Sequence, residues 1–186
     1  MRKTIAIFVL IALLTASVVA DAATLASVTL PDSAQVAGKT LVLNGVGLRT
    51  KFIVKVYVAG LYLEQKSSDA AAILKSDAPK RLVMHFVRDV SRNQMTDAFQ
   101  EGFDKNSPDA AKSMKPDIDR LLAAVDDIRE GQEMVFTYLP GTGTTMSING
   151  KDKVTIASPA FAAVVFSLWL GPKPPNADLK KGILGQ

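Results

Sequence analysis

The first half of the chain carries four runs of β-branched, aromatic and leucine residues that predict strands. Ala26–Leu30 and Lys39–Leu43 are short and are separated by a proline-containing turn, so they predict an opening pair of strands. Phe52–Leu63 is apolar at both odd and even positions, which is typical of a strand covered on both faces. We therefore expect it to be central in its sheet. Arg81–Val90 has the same two-sided pattern and predicts another largely buried strand.

Helical spacing replaces strand spacing in the middle of the chain. Ser91–Gln94 has the form of a capping box, and apolar positions at helical intervals then predict an amphipathic helix ending near Phe103. Ser107-Pro108 favours the start of a second helix, because serine caps free N–H groups and proline has no N–H to satisfy. The apolar stripe Ile118–Ile128 predicts a further helix, and the alanine-rich Ser68–Leu74 predicts a short one.

The last third of the chain returns to strands and ends in helices. An Asn149-Gly150 pair between alternating residues is a strong hairpin signal. Ser158-Pro159 predicts the start of an apolar core helix that stops at Gly171. The remaining predicted elements are three strands and a short terminal helix: Met134–Leu139, Thr144–Ile148, Lys151–Ile156 and Ala177–Ile183. With no internal repeat and no long linker, residues 23–186 predict one α+β domain.

The N-terminus has the features of a secretory signal peptide. Arg2 and Lys3 precede the apolar run Ile5–Leu14, and Ala20–Ala22 forms a small-x-small cleavage site. We therefore expect residues 1–22 to be removed and the mature protein to be exported, either periplasmic or secreted, with no stable membrane anchor left. A retained anchor is the alternative, but the apolar run falls short of the ~20 residues that a spanning helix needs.

Composition excludes several kinds of chemistry. The chain has no cysteine, so neither disulfides nor thiolate chemistry are available. It has one histidine, His85, which lies in a strand pattern and is expected to be a hydrogen-bonded core residue rather than part of a triad or zinc site. We therefore expect no metal and no cofactor. The formal charge is only +4 and the basic residues are scattered among acidic ones, so we expect no nucleic-acid partner.

Arg49 is the main candidate functional residue. It stands in the otherwise apolar and glycine-rich stretch Leu41–Glu64, where a permanently charged guanidinium needs an anion, usually a carboxylate. A structural ion pair, for example with Asp89, and a ligand role are both open from pattern alone. Tyr57 is a natural second hydrogen-bond donor. On one straight strand the two residues would be roughly 26 Å apart, so they can share a ligand only if the chain reverses between them.

The segment from Asn44 to Glu64 resembles the chalcone isomerase-like family, in its bacterial exported branch. The resemblance rests on Asn44-Gly45-Val46-Gly47-Leu48-Arg49, on Lys55–Glu64, and on two later motifs, Val87–Ser91 and Trp169–Pro172. It implies an open-faced β-sandwich, in which helices pack on one face of a large antiparallel sheet and a ligand cleft lies between them. It also implies that the chain turns back after Arg49, which would bring Tyr57 close to it.

The same resemblance separates two activities. Plant enzymes of the family use the arginine, a threonine on the following strand, and a tyrosine and an asparagine on the next helix. In this chain the threonine position falls at Tyr57, and by spacing from Ser91 the helical positions fall at Met95 and Gly102. Relatives that bind fatty acids instead use the arginine with a tyrosine to hold the carboxylate. The resemblance thus favours an exported, non-catalytic binding protein for a fatty acid or similar apolar carboxylate.

Ligand-binding residues expected on this basis are the headgroup donors and five apolar tail-lining residues: Arg49, Tyr57, Ile53, Leu61, Met95, Phe99 and Phe103. The alternative from another class is an isomerase or intramolecular lyase of the chalcone isomerase type on an unidentified substrate. In that case Arg49 would stabilise an oxyanion and Tyr57 would donate a proton. A third alternative is an envelope interaction protein with an empty cleft.

Overall fold

The computed structural model of the chain describes residues 22–186. The expected signal peptide therefore lies, apart from Ala22, outside the described residues. Within the described residues no helix combines the length and the apolar character that a membrane crossing requires.

Nine strands and six helices make up the described part of the chain. The strands are β1 Ala22–Leu25, β2 Val28–Pro31, β3 Ser33–Val36, β4 Lys39–Lys51, β5 Val54–Leu63, β6 Lys80–Phe86, β7 Glu133–Leu139, β8 Gly143–Ile148 and β9 Lys151–Ile156. The helices are α1 Ala70–Lys75, α2 Arg92–Asn106, α3 Pro108–Ser113, α4 Lys115–Ala123, α5 Pro159–Leu170 and α6 Ala177–Ile183.

Strands β3 to β9 form one antiparallel sheet in simple chain order, and β1 with β2 forms a separate hairpin. The helices α1 to α6 all contribute to the core on one face of the sheet, where α5 is buried along most of its length. The hairpin covers part of the opposite face through Val28 and Leu30, which pack with Val58 and Tyr62 of β5. The expected α+β fold, an antiparallel sheet with helices on one face, is confirmed.

Alternation along β5 explains its two-sided apolar pattern. Tyr57, Ala59 and Leu61 point towards the helices, whereas Val58 and Tyr62 point towards the β1–β2 hairpin. The strand therefore buries both faces, as its sequence predicts, and it lies third in the seven-stranded order.

Glycines let helix α6 approach strand β4 at backbone distance. A Cβ built on Gly47 would lie 2.3 Å from the carbonyl oxygen of Leu179, and one on Gly45 would lie 2.2 Å from that of Gly182. Asn44 sits beside a register shift in the β4–β5 ladder, and its side chain donates to the carbonyl oxygen of Ile183 at 2.8 Å. The Asn-Gly-x-Gly part of the sequence motif is therefore a docking surface for α6.

Several predicted boundaries were wrong. Phe52–Leu63 is not one strand from its first residue, because the chain turns at Phe52 and Ile53 and β5 begins at Val54. Lys39–Leu43 is only the start of β4, which continues to Lys51. Ala26–Leu30 is a strand only from Val28 onwards, because Ala26 and Ser27 both have positive φ angles and form the tight turn between β1 and β2.

The apolar stripe Ile118–Ile128 is only partly helical. Helix α4 ends at Ala123, and Ile128 instead forms an isolated β-bridge with Val90. The apolar residues on both sides of Ala123 are buried, although only those before it are helical. Their spacing therefore matched a longer helix than the one that forms.

Candidate functional site

Arg49 and Tyr57 face each other across the β4–β5 hairpin. They are direct register partners in the antiparallel ladder, so their side chains project on the same side of the sheet. The chain reverses at Phe52 and Ile53, and Phe52 has a φ of +57°. The hairpin thus removes the separation that a straight strand would impose on the pair.

A β-bulge lies directly beside this pair. Arg49 pairs with Tyr57, but Thr50 pairs with Lys55, so Val56 is an extra residue on β5. Bulges bend a strand and redirect its side chains. Here the consequence is that the consecutive residues Val56 and Tyr57 both line the same cavity.

Arg49 is held by the start of helix α6. Its Nη1 atom donates to Oδ1 of Asn176 at 3.0 Å and also to the carbonyl oxygen of Thr50. The same Asn176 oxygen accepts the backbone N–H of Thr50 at 3.0 Å. Asn176 is the N-cap residue of α6, yet its side chain caps no N–H group of that helix. Its amide therefore serves to position Arg49.

Asp89, the example of a structural ion-pair partner for Arg49, is engaged elsewhere. Its carboxylate accepts from Nη1 of Arg129 at 2.9 Å and from the backbone N–H of Glu130 at 2.8 Å. These two bonds hold the pKa of Asp89 below its ordinary value, with the backbone bond making the largest contribution. Both hydrogen bonds of Arg49 within residues 22–186 use Nη1, so Nη2 and Nε have no protein acceptor in that part of the chain.

Tyr57 is a neutral phenol that keeps its own proton available. Its side chain is 5% exposed, and its hydroxyl oxygen accepts a hydrogen bond from Nε1 of Trp169 at 3.0 Å. Burial raises the pKa of Tyr57 to about 12, although the bond from Trp169 and the charge of Arg49 oppose the shift. Because Trp169 already donates to the oxygen, the phenolic proton is free for a further acceptor.

A cavity of about 530 Å³ opens beside Arg49 and Tyr57. It lies between the part of the β4–β5 hairpin from Arg49 to Tyr57, helix α2, the end of α5 and the proline-rich segment that precedes α6. Its apolar lining comes from these four elements and from Val90, which precedes α2: Phe52, Val54, Val56, Val90, Met95, Ala98, Phe99, Leu168, Trp169, Pro174 and Pro175. Its charged lining residues are mainly basic: Arg49, Lys51, Arg88, Lys105 and Lys173, against Asp97 and Glu101. The volume is within the usual range for small-molecule sites, about 300–1,000 Å³.

The structure brings four of the seven expected ligand residues to this cavity. Arg49, Tyr57, Met95 and Phe99 line it. Leu61 and Phe103 are instead 0% exposed in the core, because they lie further along β5 and α2, where the helices pack onto the sheet. Ile53 is 94% exposed at the tip of the hairpin and does not line the cavity, since it lies in the turn and not in a strand.

Two residues of the site were not predicted. Trp169 is the only tryptophan of the chain. Because a tryptophan in an apolar helix needs an acceptor for its indole N–H, the sequence did indicate that Trp169 has a polar partner. Asn176 could be recognised from the sequence as an N-cap residue of α6. Such a local signal does not predict that its side chain contacts an arginine 127 positions earlier in the chain.

His85 lies on the far side of the sheet from the cavity. Its Nδ1 atom is 3.3 Å from Oε1 of Glu133.

The comparison with known proteins agrees with this architecture. A family model described as chalcone isomerase-like matches residues 22–185. The chain belongs to the chalcone isomerase-like family. Among solved structures, a crystal structure of a fatty-acid binding protein from Arabidopsis thaliana has a TM-score of 0.68 to this chain and 15% sequence identity, covering 88% of this chain and 96% of the other. Because the sequence identity is only 15%, this structural likeness establishes the fold alone. No curated protein matches the chain.

Within this chalcone isomerase-like domain, the two helical positions that the sequence resemblance assigns to the tyrosine and asparagine of the plant enzymes both line the cavity. They are Met95 and Gly102, which are among its lining residues. A Cβ on Gly102 would lie 2.6 Å from Cδ2 of Leu168, so even alanine would require the leucine to shift. The packing of α2 against α5 therefore favours glycine here, and the site has no polar side chain at either helical position.

Proposed function

We propose that this protein is an exported, non-catalytic binding protein for a fatty acid or a similar apolar carboxylate. Arg49 and Tyr57 hold the carboxylate, and the apolar wall formed by Val56, Met95 and Phe99 covers the hydrocarbon chain. The observation that carries the proposal is the pairing of unused donors with an apolar cavity. Arg49 has two nitrogens without an acceptor among residues 22–186, and the adjacent phenol of Tyr57 has a free proton.

The expected energies divide between the two ends of the ligand. Burying a twelve-methylene tail at ~0.8 kcal/mol each contributes on the order of 10 kcal/mol before losses. A charge-assisted hydrogen bond contributes about 1.5–3 kcal/mol. Association costs about 4–15 kcal/mol. The tail therefore supplies most of the affinity, and Arg49 with Tyr57 determines which end of the ligand is held and selects carboxylates over uncharged lipids.

The state of Tyr57 favours binding over catalysis. Proton transfer is most efficient when the pKa of the group lies near the working pH, whereas the pKa of Tyr57 is about 12. A phenol with this pKa is a stable hydrogen-bond donor. If a carboxylate or enone substrate were nevertheless turned over, and Tyr57→Phe abolished the turnover, the isomerase alternative would replace the proposal.

The test of the proposal is native mass spectrometry of protein purified without detergent, followed by calorimetric titration with tetradecanoate. We expect a retained acyl ligand, and a loss of affinity of about 10- to 100-fold for Arg49→Met. Arg88→Met is the matched control, because Arg88 is an exposed arginine that lines the same cavity. Equal affinities for wild type and Arg49→Met would refute the assignment of the anchor, and a loss confined to Arg88→Met would move it to Arg88.

Export is a separate part of the proposal and rests on residues 1–22 of the sequence. Cleavage after Ala22 would give a mature protein that begins at Ala23. Intact-mass measurement of the protein recovered from the native host's envelope or medium should show this N-terminus. Recovery of the uncleaved chain from the membrane fraction would support a retained anchor instead.

A further inference from the structure

The tip of the β4–β5 hairpin carries the large exposed apolar side chains of the part of the chain that the structure describes. Phe52 is 93% exposed, Ile53 94% and Val54 41%. These three consecutive residues are the only exposed large hydrophobic side chains within residues 22–186. Single exposed apolar residues are common, but a continuous cluster on a projecting loop indicates contact with another phase or partner.

The backbone of the turn is also unusual for its residue types. Phe52 has a φ of +57°, in the left-handed region that bulky residues avoid. The turns β1–β2, β3–β4 and β8–β9 also have positive φ angles, but they use small or turn-forming residues, at Ala26-Ser27, Ala37-Gly38 and Asn149-Gly150. Small or turn-forming residues would adopt this turn with less strain and would also be more soluble than a Phe-Ile pair. Neither folding nor solubility therefore accounts for Phe52 and Ile53 at this turn.

Two lysines flank the apolar tip. Lys51 and Lys55 are both exposed, and neither forms an ion pair with any residue from 22 to 186. Lysine side chains with long apolar stems can lie along an apolar insertion and place their ammonium groups at the level of anionic headgroups. Asp97 and Glu101 line the cavity nearby, and Glu101 is paired with Lys105. The two charged residues that flank the tip along the chain, Lys51 and Lys55, are thus both positive.

We propose that this tip inserts into the surface of a lipid bilayer that contains anionic lipids. Phe52 and Ile53 enter the boundary between headgroups and acyl chains, and Lys51 and Lys55 contact the phosphates. The tip is a turn of only two residues, both more than 90% exposed, so a deformable bilayer fits it without a matching pocket. Phe52, Val54 and Lys51 also line the cavity, so a docked protein would have its cavity beside the membrane. If the proposed function is correct, this position of the cavity gives an acyl ligand a short path from the bilayer to the protein.

Co-sedimentation of the mature chain with vesicles tests the docking. The vesicles are phosphatidylcholine alone or equal parts of phosphatidylcholine and phosphatidylglycerol. We expect binding to the anionic vesicles only, weakened by salt, and reduced about tenfold by Ile53→Ser because one large apolar side chain no longer enters the lipid. Lys55→Gln should reduce binding several-fold, whereas Lys66→Gln and Lys151→Gln, matched exposed lysines away from the tip, should not.

Fluorescence of Phe52→Trp gives a direct measure of insertion. Addition of anionic vesicles with brominated acyl chains should quench the new tryptophan, whereas wild type, whose single tryptophan Trp169 is 1% exposed, should show no quenching. Unchanged vesicle binding of Ile53→Ser would overturn the proposal, and so would bound Phe52→Trp protein whose introduced indole is not quenched. Binding to a protein partner with no affinity for vesicles would overturn it as well.

Failure of the docking and failure of the proposed function give different results. Ile53→Ser and Lys55→Gln should keep the wild-type affinity for tetradecanoate in vesicle-free buffer, because neither residue lines the cavity. Arg49→Met should lose that affinity and keep vesicle binding. A protein that binds vesicles through the tip but no fatty acid would leave docking established and would refute only the proposed function.

Discussion

The two halves of the β4–β5 hairpin are built from the same pair of strands and are used in opposite ways. In the half that contains Gly45, Gly47 and Gly60, the strands are covered on both sides at close range. A Cβ on Gly47 would meet the backbone of α6, and one on Gly60 would lie 2.6 Å from the side chain of Leu30 on β2. In the half that begins at Arg49, the helices separate from the sheet, the cavity opens, and the strands end in an exposed apolar tip.

The boundary between the halves shows how close packing can hold a functional residue in place. Helix α6 can approach β4 only where glycine leaves room, and this approach brings Asn176 next to Arg49 and Thr50. The tightly packed half therefore fixes the position of the guanidinium that faces the open half. A change in the packed half should affect stability first, and a change in the open half should affect binding first.

The largest expected effect is that of Gly47→Ala in the packed half. The new methyl group would lie 2.3 Å from the carbonyl oxygen of Leu179, and backbone cannot move aside as a side chain can. We expect the free energy of unfolding to fall by about 3 kcal/mol or more, measured by urea denaturation. Lys39→Ala on the same strand removes only an exposed ion pair and should change it by less than about 1 kcal/mol. Similar midpoints for both variants would contradict the close approach of α6.

The next effect, smaller in stability, is that of Tyr57→Phe in the open half. It leaves the buried indole N–H of Trp169 without its acceptor, which costs about 1–3 kcal/mol. The double variant Tyr57→Phe/Trp169→Phe should lose less stability than the sum of the two single variants, because no unpaired donor remains. Strict additivity in urea denaturation would mean that the bond contributes nothing. Tetradecanoate affinity should also fall in Tyr57→Phe, since one headgroup donor is removed.

Asn176 should affect binding more than stability. Asn176→Ala removes one acceptor from Arg49 and should weaken tetradecanoate binding about fivefold, equivalent to about 1 kcal/mol. Asn176→Asp should weaken it further, because a carboxylate next to the guanidinium competes with that of the ligand. Calorimetric titration of both variants measures this order. An unchanged affinity in Asn176→Ala would show that Arg49 needs no positioning, and tighter binding in Asn176→Asp would argue against an anionic ligand.

The smallest expected effect is that of pH on the headgroup site. An exposed phenol loses its proton around its ordinary pKa of 10.0, whereas burial raises the pKa of Tyr57 to about 12. Its folded-state pKa is above the unfolded value, so its contribution to stability is complete below pH 10 and is lost as the pH rises towards 12. The affinity for tetradecanoate should accordingly show no Tyr57-dependent fall up to pH 10. A fall centred near pH 10 that disappears in Tyr57→Phe would show that the phenol is exposed.

Much of the fold could be predicted from the chain because its determinants are local. The capping box at Ser91 is present, with Gln94 as its partner, and the helix from Pro159 begins at its serine cap. The Asn149-Gly150 turn has positive φ at both residues, as the hairpin signal predicts. The turn at Phe52 and Ile53 could not be recognised, because its residues are those of a buried strand and carry no turn signal.

The site was harder to predict than the fold, for a physical reason. Residue type alone singled out Arg49, since a guanidinium in an apolar segment needs a partner, and it singled out Tyr57 as a second donor. Whether a given apolar side chain lines a cavity or packs in the core depends on where neighbouring elements separate, and periodicity does not contain that information. Met95 and Phe99 line the cavity, whereas Leu61 and Phe103 of the same apolar faces are core residues.

By itself the sequence determined the α+β composition of the domain, most of its helices and hairpins, and the identity of the charged candidate, because short-range sterics and burial patterns decide these. Only the tertiary structure decided what surrounds that charge. Asn176 and Trp169 reach Arg49 and Tyr57 because α6 and the end of α5 pack against β4 and β5 from more than a hundred positions away. The exposure of Phe52 and Ile53 was decided in the same way, since the helices that cover the rest of the hairpin do not extend to its tip.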